Sequence, residues 1–514
     1  MMRSPTPHPT HRQTVWRCTA VLGLLPALAL AQSGQGGALS VNSSLSATQT
    51  ITDNSTLSSH DKVADAITQL TASLRLSSRT GRIQGALDYT LNGYIYGRSG
   101  SSNNLQNSLG ANFVADVIDN WFSITGSAQI AQQSVSAFGT QSIDPGLAGK
   151  NGNRTEVRTA QLSPAVRGRF GDLAAYSAQV TTGVTRSGAA DARGDSDFNS
   201  TGLTLGSLPG DRVSWSASAN HAHTDYGGGL TTNFDAIRLT SGYGLGNDLR
   251  FSGSVGREWT DMIGGRRTAT ATWGLGANWS PGPRTRVSAQ FDHRFFGNGY
   301  SLSLEHRLAR SMLRISSSRD VSDPSAGAAS RPLGTAYDLF YSQFASVEPD
   351  PTKRDQLVRS FLQGQGISPG AALYPGLLAS RPMLQRMTEV AYALEGVRSS
   401  LTLSAGLTTS GSLDPATTAA DDLAEADSIR QRRLSMTLGH RLTPTTGLSL
   451  ELSRQSTAGS NSSQSNTLRS ARLSLTTTLG QRSSASLTAR HVVFDSSTAP
   501  YTENALIATF GLRF

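Results

Sequence analysis

Cysteine occurs once in this 514-residue chain, at Cys18. It lies inside the N-terminal apolar stretch "CTAVLGLLPALALA", so the segment beyond has no thiol. Disulfides, thiol catalysis and cysteine-bound metals are excluded there. Lysine is nearly as scarce, present only as Lys62, Lys150 and Lys353. The formal charge of +9 therefore rests on arginines, scattered singly rather than gathered with aromatics. That distribution speaks against a nucleic-acid partner. No apolar run beyond the N-terminus approaches the roughly 18 residues of a membrane-crossing helix.

Motifs of chemistry are missing too. There is no Gly-x-Ser-x-Gly elbow. "GRSGSS" and "GLGANWSPG" lack the Gly-Lys-Ser/Thr finish of a phosphate loop. His221, His223 and Asp225 share one face of a strand, but two imidazoles beside a loop fall short of a metal site. The expectation is a protein without catalytic residues, metal or cofactor.

Two features mark the ends. Arg3, Arg12 and Arg17 precede the apolar stretch, and Ala29 to Ala31 offer a small-residue cleavage site, so residues 1–31 read as an export signal. The last strand, "NALIATFGLRF", places Leu506, Ala508, Phe510, Leu512 and Phe514 on one face. Phe510, Leu512 and Phe514 are the expected membrane-insertion signal for barrel-assembly machinery.

Between the ends, alternation dominates. In "LTASLRLSS", Leu70, Ala72, Leu74 and Leu76 oppose Thr71, Ser73, Arg75 and Ser77; "TGLSLELSRQ" and "ARLSLTTTLG" repeat the pattern. Such runs suit strands crossing a bilayer at a tilt, which takes about 9–11 residues. Connections alternate between short turns and long loops rich in Ser, Gly, Asn and Asp. The sequence predicts one all-β domain over 32–514: a large transmembrane antiparallel outer-membrane β-barrel of a Gram-negative bacterium, embedded in outer-membrane lipid. It has about 18–22 strands, with a best count of 22. The first strand is expected over 39–50, the last over 504–514, and two others over 199–207 and 386–396. Aromatics such as Trp121, Trp273, Trp279 and Tyr300 fall near strand ends, where interface girdles belong. A secreted solenoid or multi-sandwich is the alternative, but no repeat of fixed period supports it.

Residues 320–384 break the alternation. A short helix is expected over 353–363, within a long loop that plugs the lumen, forms a surface lid or simply packs on itself. Candidate lumen-lining residues are Arg75, Asp88, Arg167, Arg250, Arg286, Asp292, Glu451 and Arg490, with Arg169, Arg307, Arg314 and Glu395 beside them.

Three stretches, "TITDNSTLS", "FFGNGYSLSLEHRLARSMLRISSSRD" and "YDLFYSQFASVEPDPTKRDQLVRSFL", resemble the outer-membrane β-barrel family associated with the PEP-CTERM/exosortase system. The resemblance implies a component of exopolysaccharide export, with exopolysaccharide and periplasmic export proteins as partners. Asp53, Asn54, Phe296, Gly297, Asn298 and Tyr300 are then family-marker positions only, for which turn and rim architecture is the plainer account. Two functions are expected from this reading: a porin-like channel or accessory in export, or a structural barrel with a blocked lumen that docks other proteins.

Overall fold

The computed structural model describes residues 39–78, 81–98, 103–148, 152–208, 210, 212–323, 337, 341, 354–355, 358, 378–414, 421–460 and 463–514. The expected signal over 1–31 lies outside the described residues. Of the expected helix over 353–363, only Arg354, Asp355 and Val358 are described, all helical.

Alternation becomes 22 strands. The first eight are β1 Leu39–Thr52, β2 Asp65–Ser78, β3 Ile83–Tyr96, β4 Asn104–Ile118, β5 Phe122–Ser134, β6 Arg154–Phe170, β7 Ala174–Ser187 and β8 Ser196–Gly206. The next eight are β9 Val213–Tyr226, β10 Thr231–Leu245, β11 Leu249–Thr260, β12 Thr268–Gly282, β13 Thr285–Arg294, β14 Gly297–Arg307, β15 Ser311–Ser322 and β16 Met383–Glu395. Six more complete the set: β17 Ser399–Ser412, β18 Ser428–Arg441, β19 Thr446–Gly459, β20 Ser465–Thr478, β21 Ser483–Ser496 and β22 Tyr501–Arg513. The best count of 22 is the observed one, with ends shifted by a few residues; β8 starts at Ser196 and β16 at Met383.

Each strand pairs antiparallel with its neighbours in the chain, and β1 pairs with β22 from Ser44 opposite Arg513 to Thr52 opposite Ala505. The Phe514 N–H also donates to the Ser43 carbonyl at 2.9 Å. Among the described strands no edge is left, so the ladder groups within the membrane can pair with a neighbouring strand on either side. Short connections such as 246–248 and 283–284 gather at one end, with both strand termini of the seam. Long ones, including 53–64, 135–153, 323–382 and 413–427, gather at the other, hereafter the outer mouth.

Burial runs opposite to that of a soluble sandwich. In β17, Leu401, Leu403, Ala405 and Leu407 face outward, while Ser400, Thr402, Ser404 and Gly406 face inward. Leu275, Val255 and Leu434 stand well exposed on the outer surface, forming an apolar belt with Phe510, Leu512 and Phe514. Trp121, Trp215, Tyr243 and Trp279 cluster at its short-turn border. Among the described residues a single-turn helix, α1 Pro145–Ala148, and 3-10 turns at Ala190–Ala192 and Asp422–Ala424 punctuate the outer connections.

Neighbouring positions test this polarity. Leu403→Arg should lower unfolding stability in vesicles by about 2–4 kcal/mol, because it drives a charge into lipid. Thr402→Arg, facing the wet interior, should stay close to wild type. Urea titration followed by tryptophan fluorescence separates the two.

Candidate functional site

The outer mouth is where the polar interior meets apolar loop residues. Strand residues Ile67, Tyr94, Leu468, Val492, Phe494 and Tyr501 point inward near the outer ends of β2, β3, β20, β21 and β22. They form a buried cluster with Leu57 and Leu147, both from loops. Leu147 belongs to the 135–153 connection, which therefore enters the lumen instead of standing above it. The Tyr96 hydroxyl donates to the Gly146 carbonyl at 2.7 Å, and that of Tyr501 to the Gln141 carbonyl at 2.6 Å.

A charged latch lies beside this cluster. Arg490 on β21 donates to Asp144 of the loop at 2.8 Å and to Glu503 on β22 at 2.6 Å. The Thr52 hydroxyl donates to Glu503 at 2.9 Å. The Arg490 and Glu503 side chains are 2% and 1% exposed, so both charges depend on one another for compensation.

A second cluster joins Ala137 and Phe138 of the same loop to Ala379, Met383, Leu423, Ala426 and Ile429. Its latch is Arg381–Asp421, at 2.6 Å and fully buried. The Ala137 N–H donates to the Asp422 carboxylate at 2.6 Å, and Asn466 donates to the Ala137 carbonyl at 2.9 Å. Gly194, in the 188–195 connection, donates to the Ser380 hydroxyl at 3.3 Å. Five connections thus converge on the mouth. Burial pushes the Asp422 carboxyl above its usual range, against the opposing pull of the Ala137 N–H and Arg193.

Deeper in the barrel, the eight candidate lining residues all fall on the inward face, opposite the exposed apolar side chains. Arg75 and Asp88 stand opposite one another in register, 3.8 Å apart, and Asp355 approaches Arg75 at 3.4 Å. Tyr337 hydrogen-bonds Asp355 through its hydroxyl. Asp292 accepts from Arg238 at 2.9 Å, across two intervening strands. That reach needs a bare wall: a Cβ at Gly274 would stand 2.2 Å from the Asp292 carboxylate. Glu451 pairs with Arg472 at 3.7 Å, and Arg167 with Asp116 at 3.7 Å. Arg286 lies opposite Glu305, which Arg307 and Arg314 also flank. Arg250 donates to the Ser214 hydroxyl at 3.1 Å and borders a cavity of about 380 Å³ lined by Ser177, Thr204, Ser216 and Ser252. Arg490 differs from the rest, being sealed beneath the loops.

The histidines look the other way. His221, His223, His293, His306, His440 and His491 all take outward positions on their strands. His221 contacts Asp235 at 2.8 Å, and His223 contacts Asn233 at 2.8 Å and Asp225 at 3.3 Å. Among the described residues no group of three or more ligating side chains is arranged to hold a metal.

The six marker positions have local tasks. Asp53 accepts from the Asn504 backbone and side chain, both at 2.7 Å, tying the end of β1 to β22. Asn54 is buried and donates to the Ser58 and Thr502 carbonyls. Gly297 follows the two-residue link at Phe295–Phe296 with φ +91°, a conformation that favours glycine. Phe296 lies beneath the Arg294 guanidinium, Asn298 meets His293 at 3.0 Å, and the Tyr300 hydroxyl accepts from Arg386 at 3.1 Å. Sequence reasoning missed Asp144, Arg381, Asp421, Asp422 and Glu503. The available signal was the apolar content of a polar loop, namely Phe138, Ile143 and Leu147.

No family model matches the chain, and no curated protein matches it in sequence. Solved structures do resemble it. The FrpB iron transporter of Neisseria meningitidis, in its apoprotein form, is 9% identical over 92% of this chain and 81% of that chain, with a TM-score of 0.50. The siderophore receptor PirA of Pseudomonas aeruginosa is 11% identical over 92% and 80%, with a TM-score of 0.43. A mutant of the ferric enterobactin receptor PfeA from the same species is 10% identical over 93% and 81%, with a TM-score of 0.47. The first likeness agrees with the fold described above, a 22-stranded outer-membrane barrel of the Gram-negative type.

These findings correct the family reading. The resemblance to PEP-CTERM/exosortase barrels is not upheld: no family model matches the chain, the solved structure that shares its fold is an iron transporter, and the marker residues are accounted for by turns and rim contacts. With it fall the export channel or accessory, the partners exopolysaccharide and periplasmic export proteins, and the alternative of a structural barrel with a blocked lumen.

Arg490→Met should strand Asp144 and Glu503 without their cation and destabilise the mouth by about 3–5 kcal/mol. Chymotrypsin added to intact cells should then cut after Phe138 faster than in wild type. For Asp422 the sign runs toward acid. Its raised value means that the charged form is disfavoured when packed, so the loop gains stability as pH falls through that value and loses it above. Hydrogen exchange of residues 136–147, corrected for intrinsic rates, should show protection rising as pH is lowered toward the ordinary carboxylate range in wild type and little changed in Asp422→Asn.

Proposed function

We propose that this barrel is an outer-membrane uptake transporter, gated at its outer mouth, whose cargo is a compact anionic iron chelate. The loop packing is the observation that carries this reading. Five connections are held inside the mouth by paired charges as well as apolar contacts, and a paired cation is open to competition by an incoming anion. Arg490 and Arg381 hold the loops, while Arg75, Arg250 and Arg286 continue a cationic lining below. The Ser- and Thr-lined cavity around Arg250 offers hydrogen-bonding space on the wall opposite the seam. The likeness to an iron transporter supports the cargo class.

Passage requires that the Arg75–Asp355 and Arg490–Asp144 contacts release. A Gram-negative strain stripped of its own ferric-chelate receptors, supplied with this barrel, should accumulate radioiron from a ferric catecholate or hydroxamate. Arg250→Glu should reduce that uptake at least tenfold with surface expression unchanged. A folded, surface-exposed barrel that neither binds nor imports any ferric chelate would sink the proposal.

A further inference from the structure

On the outward face of β15 to β20, arginines line the outer border of the apolar belt. Arg319 and Arg386 stand directly opposite one another, as do Arg454 and Arg469, and Arg430 and Arg432 lie on β18 between them. Immediately toward the short-turn end come Leu434, Leu452 and Leu473, all exposed. Like charges facing one another across strands destabilise a sheet unless something neutralises them.

The opposite wall shows how the chain neutralises such a pair by itself. Arg158 and Arg186 are also directly opposed and outward, but Arg158 has Glu156 at 2.7 Å and Arg186 has Asp197 at 2.8 Å. Among the described residues, the only outward arginine of β15 to β20 with a carboxylate is Arg469, with Asp495 at 3.3 Å. Arg386 and Arg319 rest on neutral groups, the Tyr300 hydroxyl and the Asn298 carbonyl. Among the described residues Arg430, Arg432 and Arg454 have no acidic partner. The repulsion on this wall is left for an external anion to relieve.

We infer that this wall binds a lipid of the outer leaflet whose headgroup carries phosphate. The depth of the row identifies the occupant. An anion here has guanidinium groups beside it and exposed leucines directly beneath, so a molecule joining phosphates to acyl chains satisfies both surfaces at once. Guanidinium forks match phosphate oxygens bidentately, which a lysine row would not. A free anion would leave the leucines unused, and an uncharged lipid would leave the arginines opposed. The inference concerns the outer wall and stands independently of what passes through the lumen.

The test uses the purified, folded barrel in neutral detergent, with bisphosphorylated lipid A, its fully dephosphorylated form and inorganic phosphate as probes. Native mass spectrometry and thermal unfolding give the readouts. Wild type should retain bisphosphorylated lipid A at least tenfold more tightly than the dephosphorylated form, and inorganic phosphate at equal concentration should raise the unfolding temperature little. Arg430→Gln/Arg432→Gln/Arg454→Gln should lose that preference while remaining at least as stable as wild type without lipid. Arg158→Gln/Arg186→Gln should keep the preference. Equal binding of the two lipid forms, or full protection by inorganic phosphate, would overturn the assignment. So would undiminished retention by the triple variant. If that variant fails to fold, the comparison of lipid forms on wild type still decides.

Discussion

Hydrocarbon offers no water to an unpaired N–H or C=O, and this prohibition organises the whole molecule. A sheet of 22 strands in lipid must close on itself, and the β1–β22 seam is where it does. Closure forces an even number of antiparallel strands when both ends lie on one side. It also turns the burial pattern inside out, since the exterior meets lipid and the interior is wet. Charged residues then belong inside, where cross-strand partners hold them. Apolar loop residues have no conventional core to join, and here they find one at the mouth.

That mouth mixes two kinds of interaction with different characters. The clusters around Leu147 and Phe138 are non-directional and tolerate small shifts. The Arg490–Asp144–Glu503 and Arg381–Asp421 contacts are directional and buried, and removing one partner exposes the full penalty of the other. Such a closure is stable while every charge is matched and sensitive to any competitor of the right sign. The outer arginine wall obeys the same rule in a different solvent, with its charges facing the leaflet instead of the loops.

The barrel was legible from the chain because alternation is a local property: Leu401, Leu403 and Leu407 announce the outward face of β17 within seven residues. Parity followed from the alternating lengths of the connections. The mouth was not legible, because Asp144 and Arg490 are 346 residues apart and neither alternates with anything that names the other. The mistaken family resemblance has a physical source too. A two-residue link such as Phe295–Phe296 demands a residue like Gly297 at positive φ, and polar Asn or Asp residues suit the rim around it. Tight turns on unrelated barrels therefore converge on similar short strings. The outward arginines Arg430, Arg432, Arg454 and Arg469 were visible as residues, but their gathering on one wall needed the register.

The small inward side chains of β7 to β12 have a consequence for the shape of the interior. The loops fill the outer end beside the seam, where Tyr94, Val492 and Phe494 lie buried. Across the barrel, Gly206, Gly242, Gly256, Gly274 and Gly276 leave the wall thin, and the cavity beside Arg250 lies against it. Among the described residues, bulk is therefore unevenly shared around the interior, aromatic beside the seam and bare backbone across from it. Arg238 can reach Asp292 over two strands only because that wall is bare, so a single methyl at Gly274 would part the pair.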